Sequence, residues 1–282
     1  MRKEIFILIL AIQLVQACEP KKQKVKEDQF VFNQNFDQTP NGNLSVASIK
    51  KDWDSPQFLW GLKDRFLFYL GIKGSTPEII GDVNKQLLVR IPSKTVGPIA
   101  GSQWSTKFEN SYNELLFQFD VKFDSNFCFV KGGKLPGLAG GKANTGGKKP
   151  NGMDGWSARM MFWEEGKLCF WIYHKNQPGE FGDSLFFKKN NNYFKFQRGI
   201  WYTIKHHIYL NKPGKKNGLI EGYINDTLWA CRNNIEFRSI EGLKIDQLIF
   251  SVFMGGDEPI YQSEKEERIY FDNFLVTKFH DN

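Results

Sequence analysis

Apolar residues recur at every second position along much of the chain. In 115–123 the apolar residues alternate with mostly polar ones, and 158–162 shows the same period, as expected of half-buried strands. Further strands are predicted at 86–91, 157–163, 167–174, 184–188, 193–198, 201–210, 219–224, 227–231, 247–254 and 269–279. Turn residues such as Pro213-Gly214 and Asn225-Asp226 separate them. With no convincing amphipathic helix, the pattern favours an all-β fold, a two-sheet antiparallel sandwich of jelly-roll type.

One stretch breaks this pattern. Residues 131–159 read KGGKLPGLAGGKANTGGKKPNGMDGWSAR and hold nine glycines, with six basic residues and one acid. Loops of this length in compact domains are either functional or disordered. Because predicted strands flank it, we interpret the stretch as an ordered glycine-rich arch over a functional site. A flexible insertion is the alternative.

The charge of the chain is concentrated in this stretch. The 282 residues carry a formal charge of +7. Residues 1–29 hold six bases and four acids, so the remainder carries +5, which equals the excess of 131–159. A local positive field attracts a polyanion, either nucleic acid or acidic polysaccharide. The hydrophobic content of 41% suits one large core, so 30–282 is predicted to be a single domain.

The N-terminus follows the pattern of an export signal. Basic Arg2 and Lys3 precede an apolar run that ends at Val15, and Ala17 precedes Cys18. The run is too short to span a bilayer stably. Val15-Gln16-Ala17-Cys18 resembles a bacterial lipobox, which predicts a signal peptide at 1–17, lipidation of Cys18 and a solvated tether at 18–29. We therefore expect an exported lipoprotein, periplasmic or at the cell surface and anchored to the membrane by lipid. An ordinary signal peptide is the alternative.

The remaining cysteines and the histidines give no metal motif. Cys128, Cys169 and Cys231 are odd in number, and the first two lie in apolar runs. Buried free thiols are favoured for these two, although one disulfide is possible. His206 and His207 are adjacent on a predicted strand and therefore face opposite sides. We expect neither a metal nor a cofactor.

The hairpin after the glycine-rich stretch predicts a side-chain register. A three-residue connection between Trp163 and Lys167, with a type I turn and Gly166 in the left-handed conformation, fits the sequence. Arg159 then lies opposite Trp171, and Ser157 opposite Tyr173, all on one sheet face. A two-residue turn would instead put Tyr173 opposite Ala158. Since Ser157 and Arg159 are unsuited to an apolar core, we expect them to line an open groove. An ordinary solvent-facing strand is the alternative.

Three ordered motifs make the chain resemble a known enzyme family. KGGKLPGL, GWSARMMFW and WIYHKNQPGEFGD are similar to the core of polysaccharide lyase family 14 and the related glucuronan lyases, which are jelly-roll enzymes. The resemblance covers about 117–183. It implies β-elimination at a 4-linked uronate, as in alginate or glucuronan. That reaction needs a group that neutralises the C5 carboxylate, a base for the C5 proton and an acid for the leaving oxygen.

The resemblance also assigns roles to residues. Lys134 matches a lysine implicated in catalysis, where its charge would stabilise the intermediate or activate the tyrosine, and Tyr173 matches the second tyrosine of a pair, the proton carrier. Arg159 would bind the carboxylate, and Ser157, which matches the same Ser-x-Arg strand, is assigned to the catalytic group with it. Trp171 occupies the first tyrosine position, so the division of acid and base roles stays open. Predicted substrate-binding residues are Gln103, Lys131, Trp171 and Arg90.

Other functions are weighed against this one. A non-catalytic jelly roll that binds acidic carbohydrate is the main alternative, supported by Trp171 in place of tyrosine. A glycoside hydrolase needs two facing carboxylates, and Glu164 and Glu165 are adjacent turn residues. Nucleic-acid binding is disfavoured by the export signal. We expect a monomer, and the sequence leaves open the polymer and whether it is cut internally or from an end.

Overall fold

The computed structural model describes residues 30–54, 56–58, 77–98 and 101–279. The predicted signal peptide, the tether and the lipidation residue Cys18 lie outside these ranges. The elements are β1 (Phe30–Gln34), β2 (Gly42–Asn43), α1 (Val46–Asp52), β3 (Gln57–Phe58), β4 (Glu78–Ile80), β5 (Gln86–Ile91), β6 (Ser102–Tyr112), β7 (Glu114–Phe123), β8 (Gly132–Gly141), β9 (Gly155–Trp163), β10 (Leu168–Tyr173), β11 (Asp183–Phe186), β12 (Lys188–Lys189), β13 (Asn192–Tyr193), β14 (Trp201–Tyr209), β15 (Gly218–Ile224), β16 (Thr227–Ile235), β17 (Ile245–Met254) and β18 (Glu267–Lys278). Short 3₁₀ turns lie at Glu164–Gly166 and Pro259–Tyr261.

Two antiparallel sheets form the sandwich, so the predicted all-β jelly-roll class is confirmed. One sheet has nine strands in the order β16-β15-β14-β7-β18-β5-β4-β2, with β1 paired to β18. The other has seven, in the order β11-β10-β9-β8-β17-β6-β3. Aromatic rings join the sheets: Phe123 of β7 lies 5.3 Å from Phe162 of β9, and Phe250 of β17 lies 5.5 Å from Phe271 of β18. The core therefore fills the space between the two sheets.

The first part of the predicted glycine-rich arch is in fact a strand. β8 pairs with β9 on one side and with β17 on the other, so the loop is confined to 142–154. A Cβ at Gly133 would come within 2.3 Å of the Phe162 ring, and one at Gly137 within 2.2 Å of the Ala158 carbonyl oxygen. These glycines allow close approach between neighbouring strands rather than a turn. The prediction of an arch beginning at Lys131 is therefore wrong.

The register of the β9–β10 hairpin agrees with the three-residue connection. Arg159 pairs with Trp171 and Ser157 with Tyr173, and the Trp163 amide donates to the Lys167 carbonyl at 2.7 Å. The turn type differs from the prediction, because Glu165 as well as Gly166 has positive φ, 61° and 78°. The number of connecting residues, rather than the turn type, sets which side chains share a face.

The thiols and histidines fall in unlike surroundings. Cys169 is buried and Cys128 is exposed, and both are free, so the predicted burial of Cys128 is wrong. His206 packs in the core 4.6 Å from the Phe170 ring, whereas His207 on the other face contacts carboxylates of Glu114 and Glu221. In the described ranges, no three His, Cys, Asp or Glu side chains are grouped as a metal site requires. No helix there is long and apolar enough to cross a bilayer.

Candidate active site

A cavity of about 550 Å³ lies on the face of the seven-stranded sheet that points away from the core. Lys134 pairs with Met161, and Arg159 pairs with Trp171, across adjacent strands. Since Arg159 and Met161 are two residues apart on β9, all four side chains point to the same face of the sheet. The cavity lining includes Gln103, Lys134, Arg159, Met161, Trp171, Tyr173 and Phe253. We call this the active-site cavity.

Lys134 is a buried amine in this cavity. Only 8% of the residue is exposed, and its Nζ lies 2.9 Å from Met161 Sδ and 4.4 Å from the centre of the Trp171 ring. Among the described residues, no carboxylate lies within ion-pair distance of Nζ. Burial, and secondly the charge of Arg159, lower the pKa of Lys134 well below its usual range. The lysine is therefore suited to give up its proton much more readily than a lysine in water.

Arg159 is the second buried cation. It is 5% exposed; Nη1 donates to Ser251 Oγ at 2.9 Å, and Nε has no hydrogen-bond partner in the described part of the chain. Burial lowers its pKa to about 10, although the nearby Tyr173 hydroxyl opposes that effect. Arg159 thus stays charged at neutral pH, with a guanidinium that is incompletely satisfied.

Ser251 links Arg159 to Gln103. Its hydroxyl accepts from Arg159 and donates to Gln103 Oε1 at 2.9 Å, and it is fully buried. The amide of Gln103 is thereby fixed at the cavity wall beside the guanidinium. Ser251 is not among the site residues predicted from the sequence. The available signal was a hydroxyl residue in the otherwise apolar second half of β17, Leu248 to Met254.

Tyr173 lies beneath the loop 142–154. Its hydroxyl oxygen accepts a hydrogen bond from the Gly147 amide at 3.2 Å, and the residue is only 2% exposed. The ring still lines the cavity, together with Thr145 and Gly146 of the loop. Because the oxygen is held as an acceptor, the hydroxyl proton remains available for donation into the cavity.

The sequence matches one family over most of this architecture. The profile of the family described as Polysaccharide lyase 14 fits residues 84–274, about two thirds of the chain. The chain belongs to polysaccharide lyase family 14. The predicted resemblance and the expectation of a lyase are thus confirmed. No curated protein matches the sequence.

Solved structures share the fold of this lyase. The alginate lyase Aly36B has a TM-score of 0.73 at 23% identity, covering 89% of this chain and 98% of its own. The alginate lyase of Aplysia kurodai has a TM-score of 0.70 at 20% identity, covering 89% and 99%. Alginate lyase vAL-1 from Chlorella virus has a TM-score of 0.62 at 21% identity, covering 73% and 90%.

Three predicted site residues of the lyase, Ser157, Arg90 and Lys131, are not part of the cavity lining. Ser157 is fully buried and donates to the Asn144 carbonyl at 2.6 Å, so it fixes the loop 142–154. Arg90 lies on β5 in the other sheet, where it pairs with Glu78 at 2.7 Å and Glu266 at 3.4 Å. Neither Ser157 nor Arg90 lines the active-site cavity, and their predicted roles in catalysis and substrate binding stay predictions. The sequence pattern shows the period of a strand but not the sheet to which it belongs.

The charged surroundings of the cavity differ at its two ends. A second cavity of about 570 Å³ shares Gln103 and Arg159 with the first and is lined by Lys142, Lys148 and Lys149, with Asp154 as its acid. At the opposite ends of the strands, Asp257 and Glu258 line the active-site cavity. Lys131 is at that end too, 3.5 Å from Glu164 and outside the cavity lining.

Proposed function

We propose that this lyase cleaves alginate or a related 4-linked polyuronate by β-elimination. The observation that carries the proposal is the buried, incompletely satisfied guanidinium of Arg159. A charge held out of water without a counter-ion is costly, and in the described structure no carboxylate offsets it. A uronate carboxylate would supply two charge-assisted hydrogen bonds. Arg159 is thus explained as a site completed by substrate.

The surrounding side chains can then divide the reaction. Arg159 and Gln103 hold the C5 carboxylate and withdraw charge, which acidifies the C5 proton. Lys134 in its neutral form takes that proton, and the C5–H electron pair forms the C4–C5 double bond. The C4–O bond breaks, and Tyr173 donates its proton to the leaving oxygen. Transfer of a proton from Lys134 to the tyrosinate restores the site.

This division changes the role first expected for Lys134. The sequence suggested a positive charge that stabilises the intermediate, but burial without an acidic partner favours the neutral amine. It also accounts for Trp171. One lysine and one phenol supply a base and an acid, so a second tyrosine is not required, and Trp171 offers a ring for a sugar to stack on.

A polyanionic substrate fits the lysines around the loop. Lys142, Lys148 and Lys149 line the cavity that adjoins Arg159, where they would contact uronates flanking the cleaved bond. One structure of the Aly36B fold was solved as a mutant in complex with alginate tetrasaccharide, which supports alginate as the first polymer to test. We further propose that export and lipidation at Cys18 place the enzyme where such polymers are met, with the protein acting as a monomer.

The test is turnover of a substrate panel. Purified protein is incubated with alginate and with glucuronan while the ultraviolet absorbance of the unsaturated product is followed. Lys134→Ala and Tyr173→Phe should each lower kcat by about 10²-fold or more, as expected for loss of a general base or acid. Tyr270→Phe, which removes a hydroxyl bonded to Asp124 on the other sheet, is the matched control and should keep wild-type activity.

Two outcomes would contradict the proposal. Wild-type rates in Lys134→Ala and Tyr173→Phe would refute the assigned roles. Binding of uronates by the unaltered protein without any absorbance change would favour the alternative of a carbohydrate-binding jelly roll.

A further inference from the structure

A row of aromatic rings continues from the active-site cavity to the edge of the sheet. Trp171 lines the cavity, and Trp163 lies 6.0 Å from it between ring centres. Phe186 follows at 6.1 Å from Trp163, and Tyr193 at 5.3 Å from Phe186. Strand register places Phe186 opposite Cys169 and hence on the same face as Trp171. We call these four rings the aromatic track.

The track is accessible and carries cations. Tyr193 is 43% exposed, and the other three residues are partly exposed. Three of the rings each have a lysine ammonium over them. The Nζ atom lies 4.4 Å from the ring centre for Lys134 and Trp171, 5.9 Å for Lys131 and Trp163, and 5.6 Å for Lys167 and Tyr193. A continuous row of partly exposed rings on one sheet face is a candidate binding surface.

The charge balance around the track favours an anionic occupant. Glu164 pairs with Lys131 at 3.5 Å, and Glu165 pairs with Lys167 at 3.6 Å and also with Lys195. Exposed Lys188 pairs with Tyr193 across β12 and β13. Four lysines and two glutamates thus lie along the track. The exposed ion pairs are weak, so a bound carboxylate can exchange with them at little cost.

Two carboxylates of the cavity lining lie at the same ends of the strands as Trp163. Gly133 at the start of β8 pairs with Met254 at the end of β17, and Gly132 pairs with Trp163. Asp257 and Glu258, which follow β17, therefore lie at the same edge of the sheet as Trp163. These carboxylates repel a polyuronate from this end of the strands, so a chain that crosses the sheet from the cavity follows the rings, with Lys131 beside Trp163.

We propose that the aromatic track is an extended binding site for the same polyuronate chain, outside the cavity where cleavage occurs. Each ring offers an apolar face to a sugar, and the neighbouring lysine offers a charge to its carboxylate. The occupant follows from this pairing and from the continuity of the track with Trp171. The inference rests on the proposed function, because it needs a polyuronate in the cavity.

The experiment compares long and short substrates. Tyr193→Ala, Trp163→Ala and the double variant are assayed on polymeric alginate and on alginate oligosaccharides that fill only the cavity. Loss of one stacked ring removes a few tens of Å² of apolar contact, so Tyr193→Ala should raise KM on polymer on the order of fivefold. The double variant should raise it further. kcat and the short-substrate KM should stay near wild type.

A matched control and a second measurement keep the test decisive. Trp201→Ala removes an aromatic ring with Lys122 over it at 4.8 Å, but on the outer face of the nine-stranded sheet, and should change nothing. The second measurement is the affinity for polymeric alginate of the Lys134→Ala variant and of the Lys134→Ala/Tyr193→Ala double variant. Because the Lys134→Ala variant should not turn over substrate, the difference in affinity reports only on binding at the track. Tyr193 is exposed, so its variant tests the track even where Trp163→Ala fails to fold.

The outcomes separate the two proposals. Absence of product from any uronate with wild-type protein would refute the proposed function, and the binding measurement would still report on the track. An active enzyme whose Tyr193→Ala variant keeps both the wild-type KM on polymer and its affinity would overturn the aromatic track.

Discussion

Replacing Arg159 by methionine should make the free protein more stable while removing its activity. Burial lowers the pKa of this guanidinium to about 10, so it holds its proton more than about a hundredfold less tightly than an arginine in water. At about 1.4 kcal/mol for each tenfold change in acidity, the folded protein pays about 3 kcal/mol to keep Arg159 charged. Methionine avoids this cost and fills much of the same volume.

The gain is partly offset by the lost hydrogen bond. Arg159 donates to Ser251 at 2.9 Å, and such a bond contributes about 1 kcal/mol. A net gain of about 2 kcal/mol remains, which corresponds to a rise in Tm of roughly 5 °C for a domain of this size. Thermal unfolding of Arg159→Met and wild type, each with and without an alginate oligosaccharide, measures the effect. The oligosaccharide should raise the Tm of wild type only.

Arg238 provides the control. It is equally buried, but it donates to the carbonyl oxygens of Asn211, Glu241 and Leu243 and pairs with the Glu241 carboxylate. Arg238→Met should therefore lower the Tm, because it leaves those acceptors unsatisfied. A fall in Tm for Arg159→Met of similar size would show that Arg159 stabilises the fold, and it would refute the view that substrate completes its site.

Three further predictions concern other groups. Because burial lowers the pKa of Lys134, kcat/KM should rise as pH increases through that lowered pKa. The Lys134→Arg variant stays protonated and should be inactive at every pH. An active Lys134→Arg enzyme with an unchanged pH profile would exclude the lysine as base. Ser251→Ala should raise KM about tenfold, because Arg159 and Gln103 lose the hydroxyl that positions both side chains. Unchanged steady-state kinetics would show that neither Arg159 nor Gln103 depends on this hydroxyl. Burial lowers the pKa of His207, but hydrogen bonds to Glu114 and Glu221 outweigh burial and raise it. The protonated imidazolium therefore stabilises the folded protein. This contribution to the free energy of unfolding is complete below about pH 6.5 and is lost as pH rises through the folded pKa. The advantage of wild type over His207→Gln in chemical denaturation should accordingly shrink on going from about pH 6 to about pH 9, and a pH-independent difference would contradict that charge assignment.

The part of the site that could be predicted from sequence is the hairpin. Ser157 and Arg159 are poor core residues, and the number of residues between Trp163 and Lys167 fixes which side chains face them. Those two constraints are local, so they do not depend on the rest of the fold. They place Arg159 and Tyr173 on one face, as the structure shows.

The remainder depends on long-range packing. The glycines of β8 resemble a loop in sequence, yet they form a strand because Phe162 and the Ala158 backbone occupy the space of their missing side chains. Arg90 has the strand pattern of a groove residue, but only the sheet order shows that it belongs to the other sheet. Ser251 acquires its role from Arg159 and Gln103, which are far from it in sequence.

The most direct test of β-elimination is the origin of the atoms in the product. Alginate is digested in water enriched in heavy oxygen, and the fragments are examined by mass spectrometry and ultraviolet absorbance. Elimination breaks the C4–O bond without adding water, so the account predicts fragments that absorb in the ultraviolet and carry no heavy oxygen from cleavage. Fragments that gain heavy oxygen at the cleaved bond and lack the absorbance would show hydrolysis and contradict the account.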